Sequence, residues 1–248
     1  MLFGPTLDRY ASARYFYPLA GRLLPWLGAL TALAFAIGLP WSLWLAPVDY
    51  QQGESVRIMY VHVPSAWLSM LAYVVMAMAS GVYLVWRIKL ADALAEACVP
   101  VGASFTALAL ITGSIWGRPM WGTWWEWGDA RLMSELVLLF LYLGVLALRS
   151  AIDEPARAGR AAAVLAVVGV VNIPIIHYSV ELWNTLHQPA SVVRAGGPSI
   201  HPDLLWPLLV MALAFTLFFA VVVLLRMRGT ILERERRARW LLAAEAQA

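Results

Sequence analysis

Six apolar stretches of about 20 residues each, at about 23–46, 63–86, 99–115, 132–148, 161–178 and 204–225, dominate the chain. A hydrocarbon core about 30 Å thick takes roughly 20 residues of α-helix, and only helices and closed barrels satisfy every backbone N–H and C=O there. The pattern therefore predicts an all-α polytopic membrane protein with six transmembrane helices. Composition agrees: 62% of the 248 residues are hydrophobic and 13% charged, against roughly 25% charged in ordinary soluble domains. No connecting segment is long enough for a fold of its own, so residues 1–248 are expected to form a single membrane domain. Pro40 is expected to kink or end the first span, and Pro64 suits the first turn of the second. Residues 87–96 and 149–160 read as short charged connections, and the basic tail 226–248 as an amphipathic helix. Residues 1–18 lack a basic start followed by an apolar run, so the first span is expected to act as the insertion signal.

Six crossings put both termini on one side, and basic residues identify it. Of the eighteen lysines and arginines, fourteen, among them Arg9, Arg237 and Arg239, fall on the terminal side, and only Arg57, Arg118, Arg131 and Arg194 on the other. Both termini are thus expected in the cytoplasm. Several function classes drop out. One cysteine, Cys98, offers neither an internal disulfide nor a cysteine metal cluster. The basic residues are scattered at span ends and form no nucleic-acid patch. Within the spans Glu135 stands almost alone, so an ion or proton path has little support. There is no P-loop, nucleophile elbow or HExxH motif, and the chain is expected not to be an enzyme; any ATP hydrolysis belongs to another chain.

The outer connection between the third and fourth spans, WGRPMWGTWWEWGDARLMSE, carries Trp116, Trp121, Trp124, Trp125 and Trp127 within twelve residues. An interfacial belt accounts for one or two rings per span end and populates both membrane faces. Here ten of the thirteen tryptophans map to the outer side. If the segment is helical, Trp121, Trp124 and Trp125 share one face and form a flat shelf suited to a large planar ligand. His62, in YVHVPSAW, and His187, in WNTLHQP, come from two other outer segments. Paired imidazoles beside an aromatic wall suit the axial positions of a haem iron. His177 and His201 read as hydrogen-bonded anchors. Haem propionates need cationic partners, and Arg118 and Arg131 flank the tryptophans. Arg131 also stands four residues before Glu135, a helical neighbour it is placed to pair with. Asp129 reads as the N-cap of the fourth span.

WGTWWEWGDARL resembles the WGTWW-x-WD-x-RL signature of the haem-handling proteins of cytochrome c biogenesis, and SELVLLFLYLG after it fits as well. VHVPSAW and SVELWNTLHQ resemble that family's histidine-bearing outer loops, in the same order. With the six-span length, the resemblance covers nearly the whole chain and points to the cytochrome c maturation protein C (CcmC) family. It implies haem b held non-covalently at the periplasmic face of a bacterial inner membrane, for delivery to the haem chaperone CcmE. It also implies a complex with the ABC-transporter proteins CcmA and CcmB and the small protein CcmD. Carried over by position, His62 and His187 are the axial ligands, and Trp116, Arg118, Trp121, Trp124, Trp125, Trp127, Asp129 and Arg131 the haem-binding segment. The family usually reads Trp-Asp directly, whereas Gly128 separates Trp127 from Asp129 here. In a helix one added residue rotates every later side chain by about 100°; in a loop, glycine absorbs it. Two rival functions share the composition. A b-type electron-transfer protein would place its histidines within the spans, and a small-substrate permease would break its helices at the midplane, where Asn172 and Pro174 are the only hint.

Overall fold

A computed structural model describes residues 11–183, 185–189, 191–236, 238 and 240. Arg9, Arg237 and Arg239 of the charge count, Asn184 of the second histidine motif and the tail beyond Trp240 lie outside the described residues. The order is α1 (Ala13–Pro40), a π-helical turn (Trp41–Leu45), a 3-10 turn (Glu54–Ile58), α2 (Met59–Trp86), α3 (Lys89–Trp121), α4 (Ala130–Ala151), α5 (Pro155–Gly169), α6 (Asn172–Leu182) and α7 (Pro202–Glu235). Six helical segments are long and apolar enough to cross a membrane, so the chain is an all-α multi-pass membrane protein.

The helices overrun the apolar stretches. Residues 89–96 and 149–151, expected in connections, are helical, and only Arg87 and Ile88 join α2 to α3. The apolar pattern marks only the part of each helix in hydrocarbon, and backbone pairing continues past it into the headgroup region. Arg87 makes the tight turn with φ of 58°, its N–H bonded to the Tyr83 carbonyl at 2.9 Å. Residues 226–235, expected to begin a separate tail helix, simply prolong α7.

Two irregularities trace to particular residues. Pro40 has no N–H to offer, and α1 passes there into the π turn, which closes with Ala46 N–H donating to Trp41 O at 2.8 Å. The fifth span is broken into α5 and α6 at Val170 and Val171. Pro174 cannot donate back to the Val170 carbonyl, and the Asn172 amide is used instead to reach the Ser134 carbonyl of α4 at 2.9 Å. The fifth span, expected to be continuous, is thus interrupted beside Asn172 and Pro174, and the Asn172 side chain is bonded within the bundle.

Small residues and a few polar bonds set the packing. Between helices in lipid there is little hydrophobic drive, so close approach and hydrogen bonds decide which faces meet. Tyr142 of α4 is fully buried and donates its hydroxyl to the Ser69 carbonyl of α2 at 2.8 Å. It lies over Gly102 of α3, where a β-carbon would collide with the hydroxyl. Tyr73 of α2 meets the Tyr142 ring edge-on at 5.1 Å and rests against Gly169.

At the terminal end, buried Asp92 of α3 accepts from Arg149 of α4 at 2.6 Å and from Arg234 of α7 at 2.8 Å. Glu96 accepts from the same Nη2 of Arg234 at 2.5 Å. Three helix ends are locked by one cluster. Removing one member of a buried pair leaves the others uncompensated. Asp92→Ala should destabilise the folded protein by about 3 to 5 kcal/mol, read as a lowered midpoint of thermal unfolding in detergent, with Asp92→Glu intermediate.

Candidate functional site

The C-terminal end of α3 is the floor on which the candidate residues gather. His62 lies in the first turns of α2, with its ring against Gly113 of α3, where a β-carbon would come within 3.0 Å of Cε1. Its Nδ1 is 3.1 Å from the Ala109 carbonyl and 3.1 Å from Thr112 Oγ1. A carbonyl only accepts, and the single Thr112 hydroxyl proton is directed to the Leu108 carbonyl at 2.6 Å. The proton between them must therefore sit on His62 Nδ1, which leaves Nε2 with a free lone pair. The Trp116 ring meets the imidazole at 5.6 Å, and its own N–H donates to Gln52 Oε1 at 3.0 Å. Gln52 is held by a turn in which Asp49 accepts from the backbone N–H groups of Gln51 and Gln52, and Gly53 supplies φ of 56°.

The aromatic shelf expected along a helix does not form. α3 stops at Trp121, capped by Gly122 with φ of 77°, and residues 123–129 run as a loop. Glycine is the residue that takes this left-handed turn without strain. Trp121, Trp124, Trp125 and Trp127 are therefore spread through a cap and a loop and share no helical face. Trp121 is 39%, Trp124 58% and Trp127 73% exposed, while Trp125 is half-buried and meets Trp127 at 5.6 Å. Among the described residues Trp125 Nε1 is buried with no acceptor, and the Trp125 carbonyl accepts from Thr123 Oγ1 at 2.8 Å. Gly128 lies in this loop, its N–H bonded to Glu126 Oε1 at 3.1 Å, so the extra residue is taken up before the next helix begins.

Asp129, only 3% exposed, does three things with one carboxylate. Oδ1 accepts from the Leu132 N–H at 2.9 Å, which caps α4; Oδ2 accepts from the Leu186 N–H at 2.8 Å. His187 Nδ1 lies 3.2 Å from both oxygens. An ionised carboxylate only accepts, so Nδ1 of His187 carries the proton and Nε2 is again free. The Trp121 ring meets the His187 ring at 5.0 Å. Trp116 and Trp121, the rings that meet His62 and His187, both lie in the last turns of α3, so the two imidazoles share one locale.

The arginines divide. Arg118 is exposed and donates to the Gly122 carbonyl at its own helix end. Arg57 is committed to the Ser42 and Ala46 carbonyls at 3.2 and 3.1 Å and to Glu54. Arg131 is half-buried, within electrostatic range of Asp129 and Glu135, and among the described residues makes no ion pair with Glu135. His201 caps α7 by accepting from the Asp203 N–H at 3.3 Å, and His177 packs on Tyr178 at 4.7 Å. Sequence reasoning misses Gln52, Ala109, Thr112 and Gly113. The last two are within its reach, since Thr112 and Gly113 lie one turn before Trp116 on the same side of α3; nothing marks Gln52.

Burial alone would raise the Asp129 pKa, but the hydrogen bonds from His187, Leu132 and Leu186 prevail and hold it at about 2. The unfolded value is about 4. A depressed carboxylate contributes stability that is complete above the unfolded pKa and lost as pH falls through the folded one. The tie between residues 185–187 and α4 should therefore persist at pH 4 and fail toward pH 2, seen as a change in tryptophan emission that Asp129→Asn shows already at neutral pH.

The profile of the family described as heme exporter protein C matches residues 6–242. The heme exporter protein C of Bradyrhizobium diazoefficiens is 56% identical over 243 residues, covering 98% of this chain and 92% of the relative. That of Escherichia coli K12 is 50% identical over 235 residues, covering 95% and 94%. That of Paracoccus denitrificans is 41% identical over 244 residues, covering 98% and 100%. Matches of this identity, end to end and on a six-span helical fold, establish that the chain belongs to the heme exporter protein C family.

Proposed function

We propose that the protein holds haem b non-covalently at the outer, periplasmic face of a bacterial inner membrane and gives it up to the chaperone CcmE during cytochrome c biogenesis. The observation that carries this reading is the pair of imidazoles at the end of α3. Each has its Nδ1 proton engaged by an acceptor and its Nε2 lone pair free. That is the tautomer an iron ligand needs, fixed in advance by neighbouring groups. Among the described residues no three His, Cys, Asp or Glu side chains gather as a metal cage. Two protein ligands are sufficient for a metal that brings four equatorial nitrogens of its own.

The surroundings suit the rest of the molecule. Trp116 and Trp121 stand beside the two imidazoles, and Trp124, Trp125 and Trp127 add ring surface in the adjoining loop. The buried, acceptorless Trp125 N–H and the Arg131 and Arg118 guanidiniums are the available partners for propionates. Bound by two neutral nitrogens and by packing, the haem is retained without a covalent bond and so is able to leave. The protein does no bond-making of its own: it orients the ring, occupies both axial positions and leaves an edge reachable from the water boundary. On the family reading, CcmA and CcmB supply ATP-driven work and CcmD completes the complex.

The absorption spectrum of the purified, haem-loaded protein tests the assignment. His62→Ala or His187→Ala should replace the six-coordinate, bis-histidine spectrum with a five-coordinate or water-ligated one, and the double variant should lose most bound haem. An unaltered spectrum in the double variant sinks the ligand assignment.

A further inference from the structure

The two histidines are mounted differently. His62 belongs to a 28-residue helix, its ring pressed on Gly113 and its Nδ1 proton shared between Ala109 and Thr112 of the neighbouring helix. To move that ring, α2 must move against α3. His187 belongs to the connection between α6 and α7, which among its described residues contains no helix. Further along, this connection is anchored: Val192 and Ile200 pack on the core and Ser199 N–H donates to the Ser191 carbonyl at 2.9 Å. The described residues 185–189 are held to the rest of the fold by hydrogen bonds to one side chain, Asp129, through Leu186 N–H and His187 Nδ1.

Behind that attachment there is space instead of packing. A cleft of about 270 Å³ opens between the tryptophan loop and the His187 connection, lined by Glu126, Gly128, Asp129, Thr185 and Leu186. Thr185 Oγ1 is buried there without a partner among the described residues. Residues 185–189 are thus held by Asp129 and by the Trp121 ring against His187 and are not wedged into a core, and elements with few buried contacts are the first to open.

We infer that the histidines act unequally: His62 is the fixed axial ligand, His187 is the one that lets go, and Asp129 is the latch that keeps His187 in place until haem is handed over. The inference rests on the proposed axial roles of His62 and His187. Asp129 is a positioning residue here, acting on haem through His187. On release the bond between iron and His187 Nε2 breaks, the electron pair stays on that nitrogen, and a donor atom of the acceptor takes the vacant position. The iron keeps its oxidation state and no proton is transferred. With His62 still bound, the haem remains held while its other face is offered to an acceptor.

The full chain in detergent, loaded with haemin, is mixed with excess apomyoglobin as a haem acceptor, and transfer is followed by stopped-flow absorbance. Asp129→Asn weakens both bonds to the connection, and Asp129→Ser restores a capping oxygen for α4 without reaching His187. Both should speed transfer at least tenfold while the resting spectrum stays six-coordinate. Thr112→Val, which weakens the corresponding hold on His62, should change the rate less than threefold. Both variants keep a capping oxygen for α4, so acceleration by neither, or by Asp129→Asn but not by Asp129→Ser, in which the tie to His187 is lost more completely, would overturn the latch. Equal acceleration by Thr112→Val and Asp129→Asn would overturn the asymmetry. Failure of the underlying reading is separately visible: His62→Ala and His187→Ala would then each retain the parental spectrum, whatever the rates.

Discussion

One hydroxyl registers the bundle. Tyr142 of α4 reaches across to the Ser69 carbonyl of α2, over Gly102 of α3, where a β-carbon would collide with it. Lipid tails are as apolar as the helices they surround, so three helices of this kind have no general reason to prefer one rotation over another. A buried donor with a single acceptor supplies that reason. It fixes how α2 and α4 lie against α3, and the C-terminal part of α3 then presents Ala109, Thr112 and Gly113 to His62. The Asp92 cluster does the same at the opposite end, where charge replaces shape.

The spans are legible because hydrocarbon demands long apolar runs, and six such runs give six helical segments. The ends are not, since the same demand stops at the headgroups while the helix does not: residues 89–96 have the composition of a connection and are helix. The site is legible by residue type and opaque in shape. Tryptophan density and two histidines point to segments that the fold brings to the C-terminal end of α3, His62 against Trp116 and His187 against Trp121. The helical shelf fails because Gly122 ends α3 immediately after Trp121. That signal is present in the sequence and is outweighed by the i, i+3, i+4 spacing of the rings. Asp129 reads two ways from sequence, as a helix cap and as part of the ligand site. The structure makes it the cap of α4 and a partner of His187 with the same carboxylate. Gln52 is invisible because its place depends on a turn built by Asp49 and Gly53, remote in sequence from Trp116.

The residue inserted between Trp127 and Asp129 has a local solution. Gly128 bonds to Glu126 within the loop, so α4 starts with Asp129 as its cap whatever the length of the approach. Between the rings and the carboxylate runs a stretch without helix, in which Gly128 bonds to Glu126.

Asp129 also limits what any single substitution there is able to report. One carboxylate serves a helix terminus, a loop backbone and an imidazole, so its removal is never the loss of one bond. Free energies measured at 129, 186 and 187 should not add, because each variant leaves the remaining partners facing a changed acceptor. The coupling between positions 129 and 187, taken from a double-mutant cycle, is the quantity that isolates the imidazole from the cap.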